Sequence, residues 1–274
     1  MTTPHSFDQA LVLDTLAEGH YRGQTHPAYW NMVGPFGGIT AATALRAILL
    51  HPRLLGEPLS LTVNYAGAPT TGPFTVDATP VRTNRSTQHW NVSIVQTGAD
   101  GEPVVTTTAT AVTAARRDTW SLADMPMPEV PRPDTLQPVP PVPGVEWFNR
   151  YDLRPVAGAL PRQWNGQGDS SLTQLWMRNT PERVLDFCGL AALADVFFPR
   201  VWLRRAVHVP AGTVSITVYC HASAPQLQAT GTGYVLGQAR AQEFRNGFFD
   251  QTAQLWNEAG TMLATSHQIV YYKE

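Results

Sequence analysis

Charge is scarce in this 274-residue chain: Asp, Glu, Lys and Arg make up 15% of it, against about 25% in an average globular protein. A surface so short of charge implies that much of it is covered by another domain or subunit. The 19 basic and 21 acidic side chains leave a net charge of −2 and form no block of one sign. That argues against nucleic acid or an anionic membrane as the main partner. Cysteine is nearly absent. Cys188 and Cys220 stand in apolar sequence without ligand spacing, which excludes a disulfide scaffold and fits a reduced, cytoplasmic setting. The N-terminal stretch lacks the basic start and apolar core of a signal peptide. No apolar run reaches the roughly 20 residues of a spanning helix, so a soluble protein is expected. The eight histidines are scattered, with no H-x-x-x-H or Cys/His grouping, so neither a metal site nor a cofactor is expected. There is no glycine-rich loop followed by Lys to cradle phosphates. Gly168-Asp-Ser-Ser171 lacks the G-x-S-x-G elbow of a serine hydrolase and reads as a turn before a strand.

What the chain does have is apolar residues, 43% of it. That is enough for one large core or two domains of about 130 residues. The stretch Asp186 to Phe198, DFCGLAALADVFF, reads as a helix with no polar face, hence one wrapped by other structure. Its late carboxylate, Asp195, either sits at a solvated rim or is held inside by hydrogen-bond donors, because an unpaired buried charge is costly. A carboxylate there also opposes the dipole of its own helix.

A second such helix follows Gly34-Pro-Phe-Gly-Gly38 and runs to Leu50. Before it, a short amphipathic segment and a strand around Tyr21 to Trp30 are expected. After it come four strands with period-2 alternation: Leu59 to Tyr65, Phe74 to Val81, His89 to Thr97 and Val104 to Thr113. Residues 124–144 are dense in proline and make an extended connector between two halves. The pattern then repeats. Strands are expected at Glu146 to Val156 and Leu172 to Arg178, followed by the Asp186 helix. Four more strands are expected at Thr213 to His221, Leu227 to Ala239, Gly247 to Trp256 and Met262 to Tyr272. Gly38 and Gly189, Thr62-Val63 and Thr217-Val218, and Gly101 and Gly260 recur at similar offsets. This order argues for duplication and an α+β fold: an N-terminal domain at 1–123, the linker at 124–144 and a C-terminal domain at 145–274. The two halves are expected to pair edge to edge, since a lone half would expose strand edges and apolar surface.

The arrangement from about Gly34 to Tyr272 resembles the hotdog fold, and the whole chain resembles the double-hotdog acyl-CoA thioesterases of type II. The residues that carry this are Phe36-Gly37-Gly38 opening the first helix and Leu193-Ala-Asp195 followed by Phe197 and Phe198 in the second. Gly212-Thr-Val opens the next strand, and Ala264-Thr-Ser-His-Gln268 lies in the last. The resemblance implies a tandem (double) hotdog, each half a bent antiparallel sheet wrapped around a buried central helix. It implies hydrolysis of acyl-CoA by water that Asp195, Thr213 and Gln268 orient, and a dimer of the full-length chain. Gly37, Gly38 and Gly189 at the helix starts, and Arg204 in the cluster Arg200, Arg204 and Arg205, are the candidate substrate contacts.

The residues themselves bear on this triad. Gln268 shares parity with Met262, Ala264 and Val270, the more apolar face of its strand, where it needs partners that a buried Asp could supply. Thr213 has the parity of Ser215 and Thr217, opposite to Val214, Ile216 and Val218. A regular strand turns it away from the core, so it serves only if the strand starts irregularly, and Ser215 or Thr217 can stand in for it. Two other readings compete. One is a non-catalytic acyl or acyl-CoA binding protein; the other is a hotdog hydratase, whose chemistry needs a His beside the Asp. Aligning the two halves puts Ala44 opposite Asp195 and Ala109 opposite Gln268, so turnover is expected in the second half only.

Overall fold

The computed structural model describes residues 4–161 and 163–274; the first three residues of the expected N-terminal domain lie outside the described residues. The chain opens with a short helix, Ser6–Ala10 (α1), and a hairpin of Asp14–Ala17 (β1) and His20–Gln24 (β2). The strand expected to reach Trp30 stops at Gln24, because Pro27 starts a 3-10 turn over Pro27–Tyr29. The first central helix is Gly37–Leu49 (α2), close to its expected span. Ten of its thirteen residues are buried. Two of them are threonines, whose hydroxyls are satisfied by the carbonyls four residues back: Thr40 bonds Phe36 and Thr43 bonds Ile39. The four following strands also lie where alternation puts them: Glu57–Tyr65 (β3), Pro73–Thr83 (β4), Thr87–Thr97 (β5) and Pro103–Ala114 (β6).

The proline-rich segment contains one 3-10 turn, Pro133–Thr135, and is otherwise irregular. It is tied down on the second half. Trp176 donates from Nε1 to the Pro131 carbonyl at 2.8 Å, and Arg154 donates to the Pro133 carbonyl at 2.9 Å. Met127, Val130 and Leu136 cover a cluster of Trp176, Tyr234, Leu236 and Trp256. The connector is thus a strap over one sheet face.

The second half departs more from expectation. The strand expected from Glu146 begins as a 3-10 turn, Glu146–Arg150, and becomes extended only at Tyr151–Ala157 (β7), which pairs with Thr173–Asn179 (β8). The apolar helix is shorter than its composition suggested, Phe187–Leu193 (α3), with all seven residues buried. Asp195 and Val196 donate their N–H groups only three residues back, to Ala192 and Leu193, a tightening that ends helices. Pro199 then disfavours helix at Phe198. The chain restarts as Arg200–Arg205 (α4), reaches Ala211–Cys220 (β9), and forms an unexpected helix, Ala224–Thr230 (α5). That helix replaces the first half of the strand expected at Leu227 to Ala239. Its cause is a capping box, in which Ser223 and Gln226 satisfy each other's backbone groups, with a proline in the first turn. The strands Val235–Arg240 (β10), Phe244–Arg245 (β11), Phe248–Asn257 (β12) and Met262–Tyr272 (β13) complete the chain.

Among the described residues thirteen strands form one antiparallel sheet in the order β1-β2-β4-β5-β6-β3-β9-β13-β12-β10-β8-β7, with β11 beside β12. In each half the sheet bends around its central helix, giving an α+β tandem hotdog, and α2 packs on α3. The seam is β3 against β9, with Ser60 opposite Tyr219 through to Asn64 opposite Ser215. Thr62 and Thr217 hydrogen-bond across it at 2.9 Å. Arg116 closes one end, donating to Glu57 and to the carbonyls of Pro58 and Cys220. Leu61, Val63, Ile216 and Val218 point inward from the seam and are essentially inaccessible. Emptying a fully buried leucine site of this kind costs about 2–5 kcal/mol. Among the described residues no helix is long and apolar enough to cross a membrane.

Candidate active site

The early end of α3 decides where Asp195 goes. Placed in the turn after the helix, its carboxylate leaves the α3 axis and meets the start of α2 instead. A Cβ built on Gly37 would lie 2.5 Å from Asp195 Oδ2, so only glycine admits the carboxylate there. A Cβ on Gly38 would lie 2.6 Å from the Ala192 carbonyl and would also strike the Phe36 ring. The two glycines therefore permit close packing of α2 on the end of α3. The conflict with the helix dipole disappears: Asp195 sits at the positive end of a neighbouring thirteen-residue helix. Phe36, at the N-cap, provides no side-chain cap, which leaves the first N–H groups of α2 to acceptors from elsewhere.

Gln268 is buried on β13. Its Nε2 donates to Asp195 Oδ1 at 3.0 Å and to the Ala194 carbonyl at 3.4 Å. Its Oε1 accepts from Thr213 Oγ1 at 3.3 Å. This network sets the orientation of the amide, oxygen toward Thr213 and nitrogen toward Asp195. Thr213 reaches it because the β9–β13 register slips: Ile269 pairs with Ser215, but Val270 pairs with Thr213, leaving Val214 unmatched. The bulge inverts the parity of Thr213. The alternatives go elsewhere. Thr217 bonds Thr62 at the seam, and Ser215 lies opposite Asn64.

Burial pushes the Asp195 carboxyl up to about 7, opposed by the Gln268 hydrogen bond and the Gly38 backbone N–H. Tyr65, at the end of β3, donates its hydroxyl to the Gly37 carbonyl at 2.9 Å. Burial first, and then the Asp195 charge, hold its phenol well above the ordinary value, so it stays a donor. Tyr151 is buried near the same carboxylate, and its hydroxyl has no partner among the described residues. Sequence reading missed both phenols in this role. The available signal was Tyr65 itself, a polar-tipped aromatic closing the inward face of β3.

Two expected substrate contacts are placed differently. The Gly189 N–H is taken by its own N-cap, donating to Asp186 Oδ1 at 2.7 Å, so it is not free for a ligand. The basic cluster is dispersed. Arg204 bonds the Gly168 carbonyl on the surface, and Arg205 pairs with Glu274. Arg200 is fully buried, its guanidinium spent on the Phe198 and Ser171 carbonyls and the Thr173 hydroxyl. His267, beside Gln268 in sequence, faces the other side of the sheet and contacts Asp250 at 3.1 Å. Beyond the first turn of α2 a small, largely apolar cavity is lined by Pro35, Ile39, Thr43, Phe74 and Ile94 among others. Gln96 pins the 66–72 loop beside this cavity through both N–H and carbonyl of Thr70.

Comparison with known proteins places these features in context. A family described as the acyl-CoA thioesterase C-terminal domain matches residues 127–272, and its N-terminal counterpart matches residues 26–114. A hot-dog-fold protein of unknown function from Alicyclobacillus acidocaldarius is 44% identical, with 99% of each chain covered and a TM-score of 0.92. An acyl-CoA thioesterase II from Mycobacterium marinum is 19% identical over 97% of this chain and 98% of its own, at a TM-score of 0.75. A candidate thioesterase II from Thermobifida fusca is 18% identical over 100% of both chains, at a TM-score of 0.81. At those lower identities the likeness is one of fold. No curated protein matches the chain in sequence.

Proposed function

Because the chain belongs to the acyl-CoA thioesterase family, we propose that it hydrolyses an acyl-CoA thioester to the free carboxylic acid and coenzyme A at Asp195. The observation that carries this reading is the row Thr213–Gln268–Asp195, hydrogen-bonded in sequence and set against the uncapped start of α2. In the proposed step a water donates one hydrogen to Asp195 as its oxygen attacks the thioester carbonyl. The other hydrogen is held by a lone pair of the Thr213 hydroxyl, whose own proton is committed to Gln268. Gln268 keeps Asp195 aimed and spends its N–H groups on the carboxylate and Ala194 rather than on the water. The Gly37 N–H, at the uncapped start of α2, stabilises the oxyanion. Collapse expels coenzyme A as thiolate, and Asp195 returns the proton it took to the sulfur. No covalent intermediate is involved. A carboxyl near 7 suits this role, because a base with a pKa near the working pH combines availability with proton affinity.

The acyl group occupies the cavity along α2, so the first half shapes the pocket while the second half supplies the reacting groups. Ala44 and Ala109, the positions aligned with Asp195 and Gln268, are buried and carry no polar side chain. The test is coenzyme A release from a panel of acyl-CoA chain lengths. Turnover that falls about 10²–10⁴-fold in Asp195→Asn supports the proposal. Tight acyl-CoA binding without turnover by the wild-type protein overturns it in favour of a binding protein.

A further inference from the structure

Tyr65 has no part in the hydrolysis described above, yet it contacts the same backbone as Asp195. Its hydroxyl donates to the Gly37 carbonyl at 2.9 Å. The Gly37 carbonyl and the Gly38 N–H belong to one trans peptide plane, so they point in opposite directions. One end of that plane is held by Tyr65, and the other faces the Asp195 carboxylate. The spacing is tight: a Cβ on Gly37 would lie 2.5 Å from Asp195 Oδ2 and 3.1 Å from the Tyr65 hydroxyl. Two successive glycines give this peptide more rotational freedom than any other pair would. Phe36 does not cap it. Tyr65 supplies, from the neighbouring sheet, the restraint that the glycines remove.

We propose that Tyr65 is a positioning residue for the thioester site, fixing and polarising the Gly37–Gly38 peptide so that its N–H is aimed at Asp195. A hydrogen bond accepted by a peptide carbonyl strengthens its N–H as a donor. The inference rests on the thioesterase reading for its kinetic consequence but not for its electrostatic one. Removing the hydroxyl weakens a donor that holds the Asp195 pKa down, so that pKa rises further. Among the described residues the other titratable group facing Asp195 is Tyr151 on β7, whose buried phenol stays neutral over the same pH range.

The experiment is Tyr65→Phe, which keeps the ring and its packing, with full-length protein throughout. Steady-state kinetics are expected to show kcat lowered about 3- to 10-fold with KM nearly unchanged, and the acid limb of the pH–rate profile moved to higher pH. Carbon-13 NMR of labelled aspartate, assigned with Asp195→Asn, reads the carboxyl titration directly, whether or not substrate is turned over. Thermal melts establish that the variant is folded. A raised Asp195 pKa in Tyr65→Phe supports the inference even if wild-type protein proves inactive, which would sink only the thioesterase reading. An active wild type with an unchanged titration and pH profile in Tyr65→Phe overturns the inference and leaves that reading standing.

Discussion

Replacing Asp195 by Asn tests the site through activity and stability, which should move in opposite directions. The substitution keeps shape and removes the basic oxygen. General acid–base contributions are about 10²–10⁴-fold, so kcat should fall on that order while KM changes little. With a carboxyl near 7 in the folded wild type, the ionised fraction, and with it kcat, should rise about tenfold between pH 6 and pH 8 and then level off. The residual activity of Asp195→Asn should lack that limb. For stability the sign follows from the raised folded-state pKa. Relative to the unfolded chain, the folded protein prefers the protonated acid, a preference fully present below the unfolded value of 3.8 and lost as pH rises through about 7. At neutral pH the wild type therefore carries an ionisation penalty that Asn does not. Full burial would set that penalty at about 4 kcal/mol. Asp195 keeps some contact with solvent, so a gain of about 1–2 kcal/mol is expected. The assay is kcat across pH 5.5–9 beside thermal melts at pH 5 and pH 8, with a larger stability gain at pH 8. Near-wild-type kcat in Asp195→Asn, or a wild-type profile flat from pH 6 to pH 8, would refute the reasoning.

Thr213→Val should lower kcat about 10-fold by releasing Gln268, whereas Thr217→Val should cost only about 0.5–1.5 kcal/mol of stability at the seam; kinetics and denaturant melts on both separate the roles. Gly37→Ala drives a methyl into Asp195 Oδ2 and the Tyr65 hydroxyl, and should lower kcat about 10²-fold with helix content unchanged by circular dichroism. Thr43→Phe fills the cavity beside α2. It should shift preference toward shorter acyl chains in the coenzyme A release assay, at a stability cost of about 1–3 kcal/mol.

Elements whose pattern is local were legible in the sequence. The four strands after α2 show it, since period-2 alternation and turn residues are properties of short windows. Gln268 was legible for the same reason, being a polar residue on an apolar strand face. The features that escaped depend on relations between distant or competing signals. The apolar run from Cys188 to Phe198 hid the end of α3, which three-residue backbone bonds and Pro199 impose. In the expected strand at Leu227, hydrophobicity outweighed a capping box that Ser223 and Gln226 spell out. The bulge that turns Thr213 inward exists only in the pairing of β9 with β13, and Tyr65 matters only through a glycine peptide on another element.

The seam between β3 and β9 also dictates a timetable. The seam-side edge of β3 is open when it leaves the ribosome, and its partner lies about 150 residues further along the chain. At about 5–20 residues per second, translation takes about 8–30 s to deliver β9. Until then the nine-residue strand β3 has a bare edge. On that edge the side chains facing away from the core are Ser60, Thr62 and Asn64, while Leu61 and Val63 turn inward. A polar outer row gives a neighbouring nascent chain little apolar surface to adhere to during the wait. The order of synthesis thus gives the polarity of that row a use before the seam exists.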